Sequence, residues 1–207
     1  MAETHLIETT THGRYLVRRG SSRYLVGFHG YGQTAEIMLR DLEQIPGASE
    51  WTLVSVQALN RFYAKNEEVG ANWMTRQDRE EAIADNILYV QRVMASFPDR
   101  TRLVFAGFSQ GVAMAWRAAA SIPCDGVISL SGDVPPDVTA PQLPPALLGR
   151  GSFENWYSDE KFKKDLNFLA GRSEVTSCVF RGGHEWTDEF RQAAGVFLSR
   201  WTPALTV

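Results

Sequence analysis

Ser109 sits at the centre of Gly107-Phe108-Ser109-Gln110-Gly111, with the apolar run Leu103-Val104-Phe105-Ala106 before it and a small-residue run containing Ala113 and Ala115 after it. The pattern is G-x-S-x-G, in which a serine is carried on a sharp strand-to-helix turn. Such a turn strains the backbone of the serine, and a glycine two residues to either side lets neighbouring segments pass without a Cβ clash. A serine hydroxyl is a weak nucleophile until a base accepts its proton, so the four histidines are the next residues to weigh. His5 and His12 lie in a polar N-terminal stretch and read as solvated side chains. His184, in Gly182-Gly183-His184-Glu185-Trp186, falls in the connection between the last strand-like and the last helix-like run, and is the expected base. His29 opens His29-Gly30-Tyr31-Gly32-Gln33, whose glycines let the chain curl so that amide N–H groups face a developing oxyanion. The amides of Tyr31 and Gln110 are the expected donors, with His29 a structural orienter rather than a second base.

Other chemistries find little support. Gly149-Arg150-Gly151-Ser152-Phe153-Glu154 opens like a dinucleotide-binding G-x-G-x-x-G but lacks the third glycine. No His-x-His, His-Glu-x-x-His or Cys-x-x-Cys spacing occurs, so neither a metal nor a cofactor is expected. Cys124 and Cys178 show no redox spacing and are expected to be buried, reduced thiols. With a net charge of -3, 44% hydrophobic and 22% charged residues, the 207-residue chain reads as one globular domain, 1–207, without the basic surface that nucleic acid requires. It has neither an N-terminal cationic-then-apolar leader nor an apolar run of membrane-spanning length, so a cytoplasmic protein with no membrane span is expected.

The elements that must position these residues alternate. Arg14 to Arg19 and Tyr24 to Phe28 read as strands joined across Gly20-Ser21-Ser22 in a hairpin. Thr34 then caps a helix carrying Ile37, Met38, Leu42 and Ile45, ended by Pro46-Gly47. Strand Trp51 to Val56, an irregular stretch Gln57 to Met74 and a helix from about Gln77 to Phe97 follow. Beyond strand Leu103 to Ala106 come a helix Val112 to Ala120, strand Val127 to Leu130, a proline-rich connection, and strand Ala146 to Leu148. A helix from about Ser158 to Leu169, strand Val175 to Phe180 and a helix Thr187 to Trp201 complete the series. Strand-like runs apolar on both faces, alternating with helices, predict a mostly parallel sheet covered on both sides. In such sheets ligands gather at the carboxyl ends of the strands, where Ser109, His184 and the His29 turn all fall.

Together, the His-Gly-x-Gly-Gln turn, the Gly-Phe-Ser-Gln-Gly elbow and the Gly-Gly-His-Glu-Trp loop resemble the phospholipase/carboxylesterase branch of the α/β-hydrolases, which includes acyl-protein thioesterases. The resemblance runs from about Arg23 to about Arg200. It implies the α/β-hydrolase fold without a large lid domain, and metal-free hydrolysis of a small-molecule ester or thioester through an acyl-enzyme. In that fold the acid partner of the histidine follows the second strand after the elbow strand, which here points to Glu154, where the family usually has Asp. Asp133, after the preceding strand, and Asp159 are its rivals. Asp159 and Glu160 are already explained by the start of a helix, and Asp165 is expected to face solvent. Phe62, Tyr63, Trp73, Trp156, Tyr157 and Trp186 lie in loops expected to rim the site, with Trp73 the leading candidate for a pocket wall. The competing reading is a non-catalytic small-molecule binding protein on the same scaffold.

Overall fold

In the computed structural model, which describes residues 2–64 and 67–202, seven strands form one sheet. They are β1 (Arg14–Arg18), β2 (Arg23–Phe28), β3 (Thr52–Gln57), β6 (Arg102–Phe108), β7 (Gly126–Leu130), β8 (Ala146–Gly151) and β9 (Val175–Phe180). Their spatial order is β1-β3-β2-β6-β7-β8-β9, and every neighbouring pair is parallel except β1 with β3. A short antiparallel ribbon of β4 (Asn60–Tyr63) and β5 (Val69–Asn72) stands apart from the sheet. The helices are α1 (Ala35–Glu43), α2 (Arg79–Ala95), α3 (Gln110–Ser121), α4 (Asp159–Leu169) and α5 (Asp188–Ser199).

The alternation of strand residues separates two cores. Val26, Phe28, Val54, Phe105 and Leu148 face one side and pack with α2, α3 and α4. Leu25, Leu53, Val104, Ile128 and Leu147 face the other and pack with α1 and α5. Because successive side chains of a strand point to opposite faces, strands buried on both are expected to be largely apolar, as β6 and β7 are, whereas equally buried β3 carries Thr52, Ser55 and Gln57, each hydrogen-bonded to backbone.

The expected hairpin of the first two strands does not form. β1 pairs antiparallel with β3, and β2 lies on the far side of β3, parallel to it. Burial explains the arrangement: β2 is buried along nearly its whole length and needs neighbours on both edges, whereas half-exposed β1 suits an edge. The connection crosses the start of β3, where Gly20 N–H donates to Thr52 Oγ1 and Thr52 Oγ1–H donates to Ser21 O. A Cβ at Gly20 would lie 2.4 Å from Trp51 O, so the crossing requires glycine.

Four smaller expectations also change. The stretch Gln57 to Met74, read as irregular, contains the β4–β5 ribbon. Thr34 occupies the N-cap of α1 but makes no side-chain cap; Gln57 Oε1 instead accepts the Ala35 N–H at 2.7 Å. Asp165 does not face solvent: it is buried and accepts from Tyr157 Oη–H at 2.8 Å and Val134 N–H at 3.0 Å. Cys124 and Cys178 are both free thiols, each partly rather than fully buried. No described helix is long and apolar enough to cross a membrane.

Candidate active site

Ser109 terminates β6 and caps α3 with φ 53° and ψ -121°, a conformation that L-residues adopt only under constraint from their surroundings. The constraint is steric. A Cβ at Gly107 would sit 2.5 Å from Gly111 O, and one at Gly111 would sit 2.0 Å from Phe28 O, so the elbow can press against itself and against the end of β2 only with glycine at both positions. Ser109 N–H donates to Leu130 O at 2.9 Å, tying the turn to the end of β7. The serine is half-buried, at the carboxyl edge of the sheet.

Glu154 and His184 meet because their strands are neighbours. The β8–β9 pairing ends with Gly151 opposite Phe180, and the ladder runs on into the loops through Ser152 N–H to Phe180 O (2.8 Å) and Phe153 N–H to Gly182 O (2.9 Å). A Cβ at Gly151 would lie 2.3 Å from Gly182 O, so glycine allows the two loops to close on each other. The outcome is a 2.6 Å hydrogen bond between His184 Nδ1 and Glu154 Oε2. The other carboxylate oxygen, Oε1, accepts Trp156 N–H at 2.7 Å and Tyr157 N–H at 3.3 Å. The Glu154 side chain is 0% exposed and that of His184 is 29% exposed. Burial alone pushes the Glu154 carboxyl up, but the His184 hydrogen bond and the two amide donors outweigh it and hold the group below the usual carboxylate range. An ionised acceptor makes Nδ1 the donor, which leaves the Nε2 lone pair free for a proton.

The imidazole of His184 packs on Phe108, the residue before Ser109, with ring centroids 4.9 Å apart. Ser109 Oγ and His184 Nε2 are not hydrogen-bonded to each other here; such contacts are often long before substrate binds. The rival acids are engaged elsewhere. Asp133 is exposed, with Lys161 Nζ 3.5 Å away, and Asp159 pairs with Arg150 at 3.1 Å and Lys163 at 2.7 Å.

The turn after β2 lies against the elbow. A Cβ on Gly30 would be 3.3 Å from Ser109 Cβ. Neither the Tyr31 nor the Gln110 amide donates to another described group, so both remain available to a ligand. His29 is fully buried and fixed at both nitrogens: Nδ1–H donates to Gly30 O at 2.7 Å, and Nε2 accepts Ala58 N–H at 3.0 Å. Burial lowers its pKa to about 4, so it stays neutral and structural. Gln33 Oε1 accepts Gly30 N–H at 2.8 Å, and Gly32 N–H and Gln33 O both pair with Ala71 of β5.

The aromatic residues divide into two groups. Tyr63 and Trp156 are strongly exposed, at 78% and 77%, and Phe62 is half-buried and packed against exposed Tyr31 at 5.5 Å. Trp73 and Tyr157, expected at the rim, are instead in the core: Trp73 is 0% exposed, its indole N–H donating to His29 O at 2.8 Å. The chain runs beneath the surface at both points, so the two rings meet other side chains. Trp186 is also buried, between Phe108 and Phe190. Three groups that hold Glu154 escaped the sequence: Arg150, whose guanidinium donates to Glu154 O at 3.3 Å, and the Trp156 and Tyr157 amides. Backbone donors leave no mark in residue types; the Arg150–Glu154 spacing was visible but had no pattern to identify it. A cleft of about 320 Å³ beside the start of α2 borders neither Ser109 nor His184. No group of ligating side chains able to hold a metal ion occurs among the described residues.

No protein-family model matches the sequence, and no curated protein matches it. Solved structures do match in shape. Acyl-protein thioesterase 2 of Zea mays superposes with a TM-score of 0.75 at 18% identity, covering 91% of this chain and 99% of that one. The carboxylesterase of Bacillus cereus gives 0.73 at 16% identity, covering 91% and 94%. A phospholipase/carboxylesterase of Dyadobacter fermentans gives 0.71 at 17%, covering 93% and 99%. The chain has the α/β-hydrolase fold, with a mostly parallel sheet and no large lid domain among its described residues.

Proposed function

We propose that this α/β-hydrolase-fold chain is a serine hydrolase that cleaves small or medium acyl esters or thioesters through an acyl-enzyme on Ser109. The observation that carries the reading is the 2.6 Å bond from His184 Nδ1 to a buried, ionised Glu154, with the imidazole resting on Phe108 beside a strained serine. Glu154 sets the tautomer and stabilises the imidazolium. His184 Nε2 takes the Ser109 proton as Oγ attacks the carbonyl carbon, then delivers it to the departing alcohol or thiol. The carbonyl oxygen, negative in the tetrahedral intermediate, is held by the amides of Tyr31 and Gln110, which donate to no other described group. Water, deprotonated by the same imidazole, then attacks the acyl carbon and frees Ser109.

The surroundings support a substrate with an apolar portion. Exposed Tyr31, Tyr63, Phe153 and Trp156 and half-buried Phe62 offer apolar contact to an acyl or leaving group at the surface. The similar structures, an acyl-protein thioesterase and a carboxylesterase, agree with ester chemistry. Turnover of p-nitrophenyl acetate and butyrate, with and without Ser109→Ala, tests the reading. Wild type should turn over both and react with a fluorophosphonate, whose fluoride leaves as Oγ bonds phosphorus. Ser109→Ala should lose both activities with its unfolding midpoint retained, and an active Ser109→Ala protein would sink the proposal.

A further inference from the structure

Every polar group of buried Trp73 is committed. Its backbone N–H donates to Gln110 Oε1 at 2.9 Å, its carbonyl accepts from Asn86 Nδ2 at 2.8 Å, and its indole N–H donates to His29 O at 2.8 Å. The ring packs between Phe28 and His29, with centroids 5.5 and 5.2 Å away. Gln110 returns the contact: its Nε2 donates to Met74 O at 2.9 Å, so one side-chain amide clamps the backbone of two consecutive residues. Two residues earlier, Ala71 pairs through both its N–H and its C=O with the Gly32–Gln33 side of the turn.

The segment from Ala71 to Met74 therefore spans two parts of the chain that otherwise meet only by packing. On one side is the His29 turn, which carries the Tyr31 amide. On the other is the start of α3, which carries the Gln110 amide. Strand pairing fixes Phe28 opposite Gly107 but leaves the turn beyond β2 without a ladder partner on the elbow side. We infer that Trp73 is a positioning residue that sets the separation and aim of the two oxyanion donors, holding the turn through its indole N–H and the elbow through its backbone N–H. The inference rests on the site reading given above. It assigns Trp73 no contact with substrate, which its complete burial forbids.

Transition-state donors act only where they are placed, so a loosened pair loses charge stabilisation in the tetrahedral intermediate and leaves ground-state binding alone. Trp73→Phe removes the indole N–H, keeps an aromatic ring in the stack, and keeps the backbone bond to Gln110. Rates are measured on p-nitrophenyl acetate, with the active fraction counted by fluorophosphonate titration so that partial unfolding does not count as slow chemistry. Affinity is measured for an aryl trifluoromethyl ketone, to whose carbonyl Ser109 Oγ adds while its proton passes to His184 and the oxygen becomes the oxyanion. The expected result is a fall in kcat of about 10- to 100-fold with KM within about threefold, and ketone affinity lost by the same factor as kcat/KM. A kcat within about twofold of wild type overturns the inference, as does a loss confined to KM.

Should Trp73→Phe fail to fold, Gln110→Ala decides, since it breaks the clamp and keeps the backbone amide. A fall in kcat of at least about fivefold with KM unmoved supports the inference, and an unchanged kcat overturns it. Ser109→Ala, run alongside, separates the two levels of the argument. An active Ser109→Ala protein removes the site reading, whereas an inactive Ser109→Ala beside a fully active Trp73→Phe removes only the role of Trp73.

Discussion

Glu154 and Asp165 are buried carboxylates that follow the same strand and are served by the same residue, yet their surroundings push them in opposite directions. Tyr157 gives its backbone N–H to Glu154 Oε1 and its hydroxyl to Asp165 Oδ2. For both, burial is the leading influence and raises the pKa. At Glu154 it is outweighed by an imidazole and two amide donors, and the group falls below the usual range. At Asp165 one amide and one phenol do not outweigh it, Asp133 adds like-charge repulsion, and the group rises. A buried carboxylate is thus no marker of chemistry by itself; what separates the two is a neighbour that can move a proton.

The first way to break the comparison is at the reacting group. Glu154→Gln keeps size and shape but cannot support an imidazolium as a carboxylate does, so kcat on p-nitrophenyl butyrate should fall at least about a hundredfold, about 2.7 kcal/mol of barrier. Asp159→Asn, whose carboxylate serves Arg150 and Lys163, should change kcat by less than about tenfold. Reversed effects would make Asp159 the acid. His184→Ala should cost more than either, about four orders of magnitude, measured as kcat with the unfolding midpoint as control.

A second contrast is in stability against pH, to which buried His29 contributes. Its folded pKa of about 4 lies below histidine's ordinary 6.5, so between those values the unfolded chain binds the proton and the folded one does not. Stability is complete above about pH 6.5 and falls on acidification by roughly 3 kcal/mol in total, levelling off below about pH 4. Urea unfolding from pH 7.5 to 4 should show this slope in wild type and a shallower one in His29→Asn. Glu154, also depressed, contributes in the same direction but lower, through the carboxylate range, and Asp165, raised, contributes in the opposite one.

Much of this arrangement was legible in the residues because its devices are local. The Gly107 to Gly111 turn, the glycines after β2 and the last-loop histidine each imply a geometry from a few adjacent residues. Glu154 was reachable because the order of strands places it beside the His184 loop. What escaped depends on distant pairing. That β1 joins β3 rather than β2 follows from how deeply β2 is buried, which a run of apolar residues shared by both strands does not disclose. Asp165 lies deep in a helix where the sequence alone predicts a solvent-facing side chain, and only the return of Val134 and Tyr157 to that face buries it. Trp73 was an aromatic in a loop, and its partners Gln110 and His29 lie far from it in the chain.

The finest test of the comparison acts on Tyr157, since one substitution touches Asp165 and spares Glu154. Tyr157→Phe deletes the hydroxyl that donates to Asp165 Oδ2 and keeps the N–H that donates to Glu154 Oε1. Asp165 is left with Val134 N–H as its donor, so its charged form is poorer in partners while equally buried, and its pKa should rise further. While Asp165 is ionised, losing a hydrogen bond to a buried charge should lower unfolding stability by about 1.5–3 kcal/mol. As pH falls through the raised pKa of Asp165 the carboxyl becomes neutral, the missing donor matters less, and the gap between variant and wild type should narrow. Urea unfolding along a pH series descending from neutral reads this directly, and kcat should stay within about threefold of wild type because Glu154 keeps both amide donors. A gap that widens on acidification would show that Tyr157 holds Asp165 in its protonated form, and a large fall in kcat would show that the two carboxylates are coupled after all.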